Sequence, residues 1–323
     1  MHLTQSALAR QLRHPASAEE LCVFNGVSNI VVELDGTHNL WKHMPACPLI
    51  AVGRLTIDDS LIDLLAEDMD QACTIGSAIE ERPIASAAFV QLLRHNESST
   101  IENALFAESL CFSTLQHGSE FQSWLATRKK PNPEEDSDEE SVLVARTGTK
   151  LHITLNRPSR HNAWSTEMRD ALCEALVLAI EDQSIELVEI KGNGPSFCSG
   201  GDLDEFGMAR DAGIAHVARI ARNAGYLIES IRDRVTFHVH GACIGAGIEV
   251  PAFSSRIQSS SDAYFQLPEV PMGLVPGAGG TASILRRIGR HRMAWMGLTG
   301  ERIDAQSALR WGLIDEISKS QHH

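Results

Sequence analysis

Two glycine-rich turns, each placed where a strand-like apolar pattern ends, constrain this chain most. The first is Gly194-Pro195-Ser196-Phe197-Cys198-Ser199-Gly200-Gly201-Asp202-Leu203, and the second is Gly241-Ala242-Cys243-Ile244-Gly245-Ala246-Gly247-Ile248-Glu249. Glycine admits backbone angles closed to other residues and lets another group come close to the main chain. Turns of this kind at the carboxyl ends of strands are where open α/β sheets bind ligands. One such turn alone would serve tight packing equally well.

The surrounding pattern is α/β. Leu151, Ile153 and Leu155 alternate as in a half-buried strand, and Val235, Phe237 and Val239 do the same. Leu187 to Ile190 forms a short apolar run. Ser165 is placed to cap a helix whose apolar residues Met168, Leu172, Ala175, Leu176, Ala179 and Ile180 recur at helical spacing. Asp304 starts another helix through Ala308 and Trp311, which Gly312 ends. Strand and helix in alternation predict repeated ββα or βαβ units with parallel pairing.

A boundary precedes this region. Residues 129–140 carry six acidic residues and two prolines with no apolar anchor. Such a segment buries too little surface to offset its ordering entropy. It divides the chain into an N-terminal region (1–130), a linker (131–141) and a second domain (142–323). The N-terminal region reads as mostly helical α/β. Strands are expected over 30–34 and 49–55. A helix capped by Asp58, Asp59 or Ser60 would carry Leu61, Leu64, Leu65 and Met69, and a second would open at Pro83 and run to about His95. A third, after Ser98 and Ser99, would have Ile101, Leu105, Leu110 and Leu115 in the core, and Phe121, Trp124 and Leu125 mark a last packed turn. His14, His38, His43, His95 and His117 are isolated and belong to no catalytic constellation.

Composition narrows the function. A net charge of −14 argues against nucleic acid as the main partner. No apolar run approaches the ~20 residues that span a bilayer, and Met1 to Ser6 lacks the pattern of an export signal. The seven cysteines include no Cys-x-x-Cys pair, so neither a metal site nor a disulfide framework is expected, and reduced thiols in a cytoplasm fit best. Neither glycine-rich turn continues into the Lys-Ser/Thr of a phosphate-binding loop, and the run from Gly273 to Gly280 lacks that lysine too.

The two turns are suited to acyl chemistry. Two turns that each offer a backbone N–H can hold a carbonyl oxygen as it becomes an oxyanion, and loss of one such donor costs about 10²–10³ in rate. Glu249 ends the second turn, and Gln266-Leu267-Pro268-Glu269 supplies another carboxylate. Two close carboxylates in a dry pocket separate into one acid and one base near neutrality.

These segments resemble the enoyl-CoA hydratase/isomerase (crotonase) superfamily. So do Leu155-Asn156-Arg157-Pro158 with His161-Asn162-Ala163, the stretch from Leu267 to Thr281, and Ala308 to Glu316, so that the likeness runs from about Val142 to Ile317. The resemblance implies a crotonase-like repeated ββα core. It implies an oxyanion hole from the N–H groups of Ser199 and Ala246, and catalytic roles for Glu249 and Glu269. It implies contacts to coenzyme A or substrate around Arg160, His161, Gly200, Gly201, Asp202, Leu203 and Gly245. The substrate would be an acyl-CoA thioester, with no further cofactor and no metal, and the assembly trimer-based. Having both glutamates favours hydration of a 2-enoyl-CoA, with Glu249 activating water and Glu269 delivering a proton to Cα. Isomerisation, thioester hydrolysis, decarboxylation and oxygenase-type chemistry use the same site, and the long N-terminal region is similar in layout to the dihydroxyphenylacetyl-CoA dioxygenase branch. A non-catalytic acyl-CoA-binding or assembly module is the remaining alternative. Cys198 is expected to be a small packed side chain, His238 and His240 packing residues, and Asp202 a partner of its own turn.

Three departures from the family pattern stand out. Only Ser318 to His323 follow the segment where members continue into further helices, and the helix around Leu105 to Trp124 is expected to supply the missing cover. Pro251 lies two residues after Glu249, where it would kink a longer helix, and Ala246 replaces a usual glycine.

Overall fold

The computed structural model describes residues 1–36, 41–54, 61–128, 140–209 and 211–318. The chain opens with β1 (His2–Thr4), α1 (Gln5–Gln11), α2 (Pro15–Glu20), β2 (Ile30–Glu33), β3 (Leu49–Val52) and β4 (Leu64–Ala66). The four strands form one parallel sheet in the order β1-β2-β3-β4. Four helices follow: α3 (Met69–Glu81), α4 (Pro83–Asn96), α5 (Ile101–Gln116) and α6 (Ser119–Thr127).

Local chemistry explains their bounds. Asp68 caps α3 by accepting from Gln71 N at 2.8 Å, and Pro83 sits in the first turn of α4, where its missing N–H costs nothing. Thr100, one residue beyond the expected serines, caps α5. Two expectations fail. Leu64 and Leu65 are not helical. They lie in β4, paired in parallel with Ile50 and Ala51, because this short apolar run has an open sheet edge to join, and the helix waits for the Asp68 cap. Their expected caps, Asp58 to Ser60, lie outside the described residues, as does Leu55. Leu110 is exposed on α5, since five residues from buried Leu105 turn the helix about 140° off that face.

After the expected linker, whose residues 129–139 lie outside the described ones, the alternation holds. β5 (Val142–Thr147), β6 (Lys150–Leu155), α7 (Thr166–Glu181), β7 (Leu187–Gly192), α8 (Ala212–Ala221), α9 (Ala224–Ser230) and β8 (Val235–Val239) lead to β9 (Ala242–Ile244) and α10 (Ala246–Glu249). Then come β10 (Arg256–Ser259), β11 (Tyr264–Gln266), α11 (Gly280–Ile288), α12 (Arg290–Thr299), β12 (Ile303–Asp304), α13 (Ala305–Trp311) and β13 (Glu316–Ile317). A six-stranded sheet runs β13-β10-β8-β7-β6-β5, parallel except for the β5–β6 hairpin, and a three-stranded sheet runs β12-β11-β9. Ser165 caps α7 and Asp304 caps α13, which Gly312 ends at φ 82°.

The core does not divide where the linker falls. Phe89, Leu105, Phe112 and Phe121 from α4 to α6 share one apolar cluster with Phe253, Ile284, Leu285 and Met293. A smaller cluster, including Leu8, Leu12, Trp41 and Leu49, stays with the first sheet. Buried polar links cross the same boundary: Asn96 Nδ2 at the end of α4 donates to Thr281 Oγ1 at 2.9 Å. Among the described residues no helix is long and apolar enough to cross a membrane.

A chain beginning at Ser141 would leave the faces of α11 and α12 open to water. It is expected to aggregate or to lack fixed tertiary packing, read by near-UV circular dichroism and size-exclusion chromatography. A folded monomer with native spectra would show that the N-terminal helices are dispensable.

Candidate active site

The site forms where β9 and β11 end side by side. Their parallel pairing sets Ile244 against Gln266, so that Gly245 N–H donates to Gln266 O at 2.9 Å and Glu269 arrives three residues later. Gly245 has φ 48°, and a Cβ there would stand 2.4 Å from Glu269 Oε1, so glycine is required twice over. The chain then makes the single turn of α10, which ends in Glu249. Pro251 opens the following 3-10 turn (Pro251–Phe253), so the proline interrupts no hydrogen-bond ladder and the expected kink does not arise.

Glu249 is buried, and its Oε2 accepts from the N–H groups of Ala278 at 2.8 Å and Gly280 at 2.9 Å, at the start of α11. A side chain at 280 would meet Glu249 Cγ at 2.7 Å. Glu269 is buried too, and its Oε2 has no hydrogen-bond partner among the described residues. A third carboxyl joins them from the N-terminal region. Glu108 on α5 is buried, takes Gly279 N–H on Oε1 at 2.7 Å, and on Oε2 takes Thr281 N–H at 2.8 Å and Thr281 Oγ1 at 2.6 Å. Sequence reasoning missed it. The readable sign was a glutamate at position 108 between the apolar positions 105 and 112, on the buried face of the helix.

Burial raises all three carboxyls. For Glu249 the rise, to about 7, is opposed by the N–H groups around Gly280 and Ala278. Glu108 is pushed up to about 8 by burial and by the charge of Glu249. Glu269 is held well above the carboxylate range, first by burial and then by Glu249.

Glu249 and Glu269 face a cavity of about 270 Å³. Of the expected site residues, Gly201, Asp202, Ala246, Glu249 and Glu269 line it, whereas Arg160, His161, Ser199, Gly200, Leu203 and Gly245 do not. Ser199 corrects an expectation. Its N–H donates to His161 O at 3.0 Å, so it is not free for an oxyanion. The N–H groups of Gly201 and Ala246, both on the cavity wall, have no acceptor among the described residues. The other residues brace the walls. His161 and Asn162 both take positive φ, 51° and 52°, an uncommon pair for residues with side chains. Asn162, fully buried, staples their segment to the first glycine-rich turn through Ser196 O at 2.9 Å and Phe197 O at 3.1 Å. Asp202 accepts its own turn's Asp204 N–H at 3.1 Å and also pairs with Arg157 at 2.9 Å and Arg160 at 3.2 Å. Gly200 O takes Trp164 N–H at 2.8 Å, and Leu203 O takes Arg128. Burial pushes the Cys198 thiol up to about 12, which removes it as a nucleophile. His238 is half-buried with its pKa lowered by burial, and His240 bonds Gly194 O at 2.8 Å. Among the described residues no group of His, Cys, Asp or Glu is arranged to hold a metal.

Residues 146–322, more than half of the chain, match the family model described as enoyl-CoA hydratase/isomerase. The chain belongs to that family. The 2,3-dehydroadipyl-CoA hydratase of Escherichia coli (strain K12) is 32% identical over 179 residues, covering 55% of this chain and 69% of the relative. The mitochondrial enoyl-CoA hydratase of Pongo abelii is 32% identical over 165 residues, 51% of this chain and 56% of the relative. The trans-2-decenoyl-[acyl-carrier-protein] isomerase of Streptococcus mutans is 27% identical over 173 residues, 52% of this chain and 66% of the relative. In three dimensions the chain is similar to the crystal structure of an enoyl-CoA hydratase from Thermoplasma volcanium, with a TM-score of 0.53 and 28% identity, over 57% of this chain and 73% of that one. The crotonase fold is thus present, with strands and helices of the hydratase/isomerase family behind Glu249 and Glu269. Glu108 lies ahead of the family-matched residues.

The raised carboxyls carry a pH signature. Between the ordinary carboxylate range and about pH 8, the folded protein holds protons that the unfolded chain has released, so stability falls as pH rises through that window. The thermal midpoint is expected to drop between pH 5.5 and pH 8, and to drop less in Glu108→Gln, which removes one of these groups. Equal slopes for the two proteins would show that Glu108 is not held protonated.

Proposed function

We propose that this chain hydrates the 2-enoyl group of an acyl-CoA thioester. The observation that carries the reading is Glu269: a buried carboxyl with one oxygen unpartnered among the described residues, in a cavity it shares with Glu249 and with two unengaged backbone N–H groups. The thioester oxygen takes the N–H groups of Gly201 and Ala246 and gains charge as Cβ becomes electrophilic. Glu249, with its Oε2 fixed by two N–H groups, orients water and accepts its proton as oxygen bonds to Cβ. Glu269 then gives its proton to Cα, collapsing the enolate to the 3-hydroxyacyl thioester. The two raised carboxyls suit these parts, since burial and the charge of Glu249 favour the protonated form of Glu269, while Glu249 stands near its own midpoint at about 7. Exchange of the proton on Glu249 with that missing from Glu269 resets the pair. The cavity, about 270 Å³, admits a short acyl group and leaves the nucleotide outside.

The two hydratases among the relatives cited above support this reading without setting the substrate, because this chain spans only 56% to 69% of those relatives. Isomerisation is the second reading, favoured by the asymmetry between the carboxyls. Glu249 has its Oε2 tied to main chain, and Glu269 alone could carry a proton from one carbon to another. Soluble cytoplasmic action and a trimer-based assembly accompany either reading as proposals.

With crotonyl-CoA, loss of the conjugated thioester absorbance is expected to fall by about 10²–10⁴ in both Glu249→Gln and Glu269→Gln. Proton NMR of the product should show 3-hydroxybutyryl-CoA. Full turnover in either variant would contradict the two-carboxylate mechanism, and for a longer 2-enoyl-CoA a product with its double bond moved would favour isomerisation.

A further inference from the structure

The cavity has a cationic corner that hydration does not use. Arg219 on α8 sits over the ring of Phe112 on α5, 4.5 Å from its centroid. Its Nη1 donates to Ser113 Oγ at 2.9 Å, to Ser109 Oγ at 3.3 Å and to Ser109 O at 3.4 Å, all of them neutral acceptors. All of its hydrogen bonds among the described residues come from Nη1, so Nε and Nη2 find no acceptor there, and Glu108 acts on it by charge without an ion pair. Arg219 lines the cavity together with Glu249, Glu269 and the two free N–H groups. One helical turn beyond Phe112, Gln116 also lines it, 6% exposed, with its Oε1 unpartnered among the described residues. Phe112 itself packs on Gly277, where a Cβ would meet its ring at 2.5 Å, so this corner adjoins the turn that holds Glu249.

On one wall a half-buried guanidinium keeps Nε and Nη2 unmet and a buried amide keeps its Oε1 unmet among the described residues. A half-buried guanidinium without a counter-ion is costly unless an anion completes it, and its unused Nε and Nη2 present the planar fork that fits a carboxylate. A half-turn of the Gln116 amide, which exchanges its O and NH2, brings a further donor to the same anion. Glu108, two turns before Gln116 on the same helix, does not supply the missing charge at neutrality, because burial keeps its carboxyl protonated up to about 8. Burial in turn lowers Arg219 to about 10, which leaves it charged at neutral pH and poorly solvated.

We infer that the acyl pocket ends in an anion-binding wall, built by Arg219 and Gln116, that takes a carboxylate at the far end of the acyl chain. Resting on the acyl-CoA reading above, this inference names the substrate class: the CoA monothioester of a short dicarboxylic acid. The N-terminal region supplies half of that wall, since Phe112 and Gln116 both belong to α5.

Glutaryl-CoA and pentanoyl-CoA differ at the chain end, carboxylate against methyl, and share every CoA contact. Titration calorimetry on the full chain is expected to show glutaryl-CoA binding tighter by at least about tenfold. Arg219→Met and Gln116→Leu should each bring the ratio of the two affinities toward one. Equal or weaker binding of glutaryl-CoA to the wild type would overturn the inference. So would an equal loss for both thioesters in Arg219→Met, since that places Arg219 on a CoA phosphate. Both ligands are saturated, so a protein that fails to hydrate any enoyl-CoA but keeps the tenfold ratio would lose the hydratase reading and retain the end wall.

Discussion

The start of α11 is the point on which the rest of this protein depends. The first N–H groups of a helix lack partners within it and carry a partial positive charge. Here the four consecutive N–H groups of Ala278, Gly279, Gly280 and Thr281 are divided alternately between two buried carboxyls, Glu249 from the second glycine-rich turn and Glu108 from the N-terminal region. That arrangement holds Glu249 in place and opposes the rise in pKa that burial causes, and it leaves Glu269 as the carboxyl with an unpartnered oxygen among the described residues. It also ties a segment outside the family match to the loop that holds Glu249.

The packing follows the same logic. The helices α4 to α6 lie against α11, α12 and the cavity, and their apolar residues merge with those of the crotonase core. An acyl pocket must exclude water if hydrogen bonds to an oxyanion are to be strong. In this chain the cover comes from before the expected linker. The consequence is chemical as well as steric, because α5 contributes Glu108, Phe112 and Gln116 together.

Much of this was legible in the sequence, for local reasons. The positions of Glu249 and Glu269 follow from glycine turns and strand ends that are themselves local patterns, and the caps at Ser165 and Asp304 are read one helix at a time. Three features were not, because each depends on what is brought near. The family resemblance implied Ser199 as an oxyanion donor, but its N–H is claimed by His161 O from a segment 38 residues earlier, which leaves Gly201 facing the cavity. Leu64 and Leu65 follow an apolar spacing that fits helix or strand, and only the neighbouring β3 decides between them. Glu108 reads as one more acidic residue on a helix until α11 presents its N–H groups to it.

The central claim is that the cavity stabilises a thioester enolate and that Glu269 moves the proton at Cα. Butyryl-CoA in ²H₂O tests it without any addition of water, because reversible enolate formation replaces the Cα hydrogen by deuterium, which NMR and mass spectrometry detect. Exchange at Cα by the wild-type protein, lost in Glu269→Gln while butyryl-CoA still binds, is the predicted result. Butyryl-CoA that binds to the wild type and never exchanges at Cα would contradict the account.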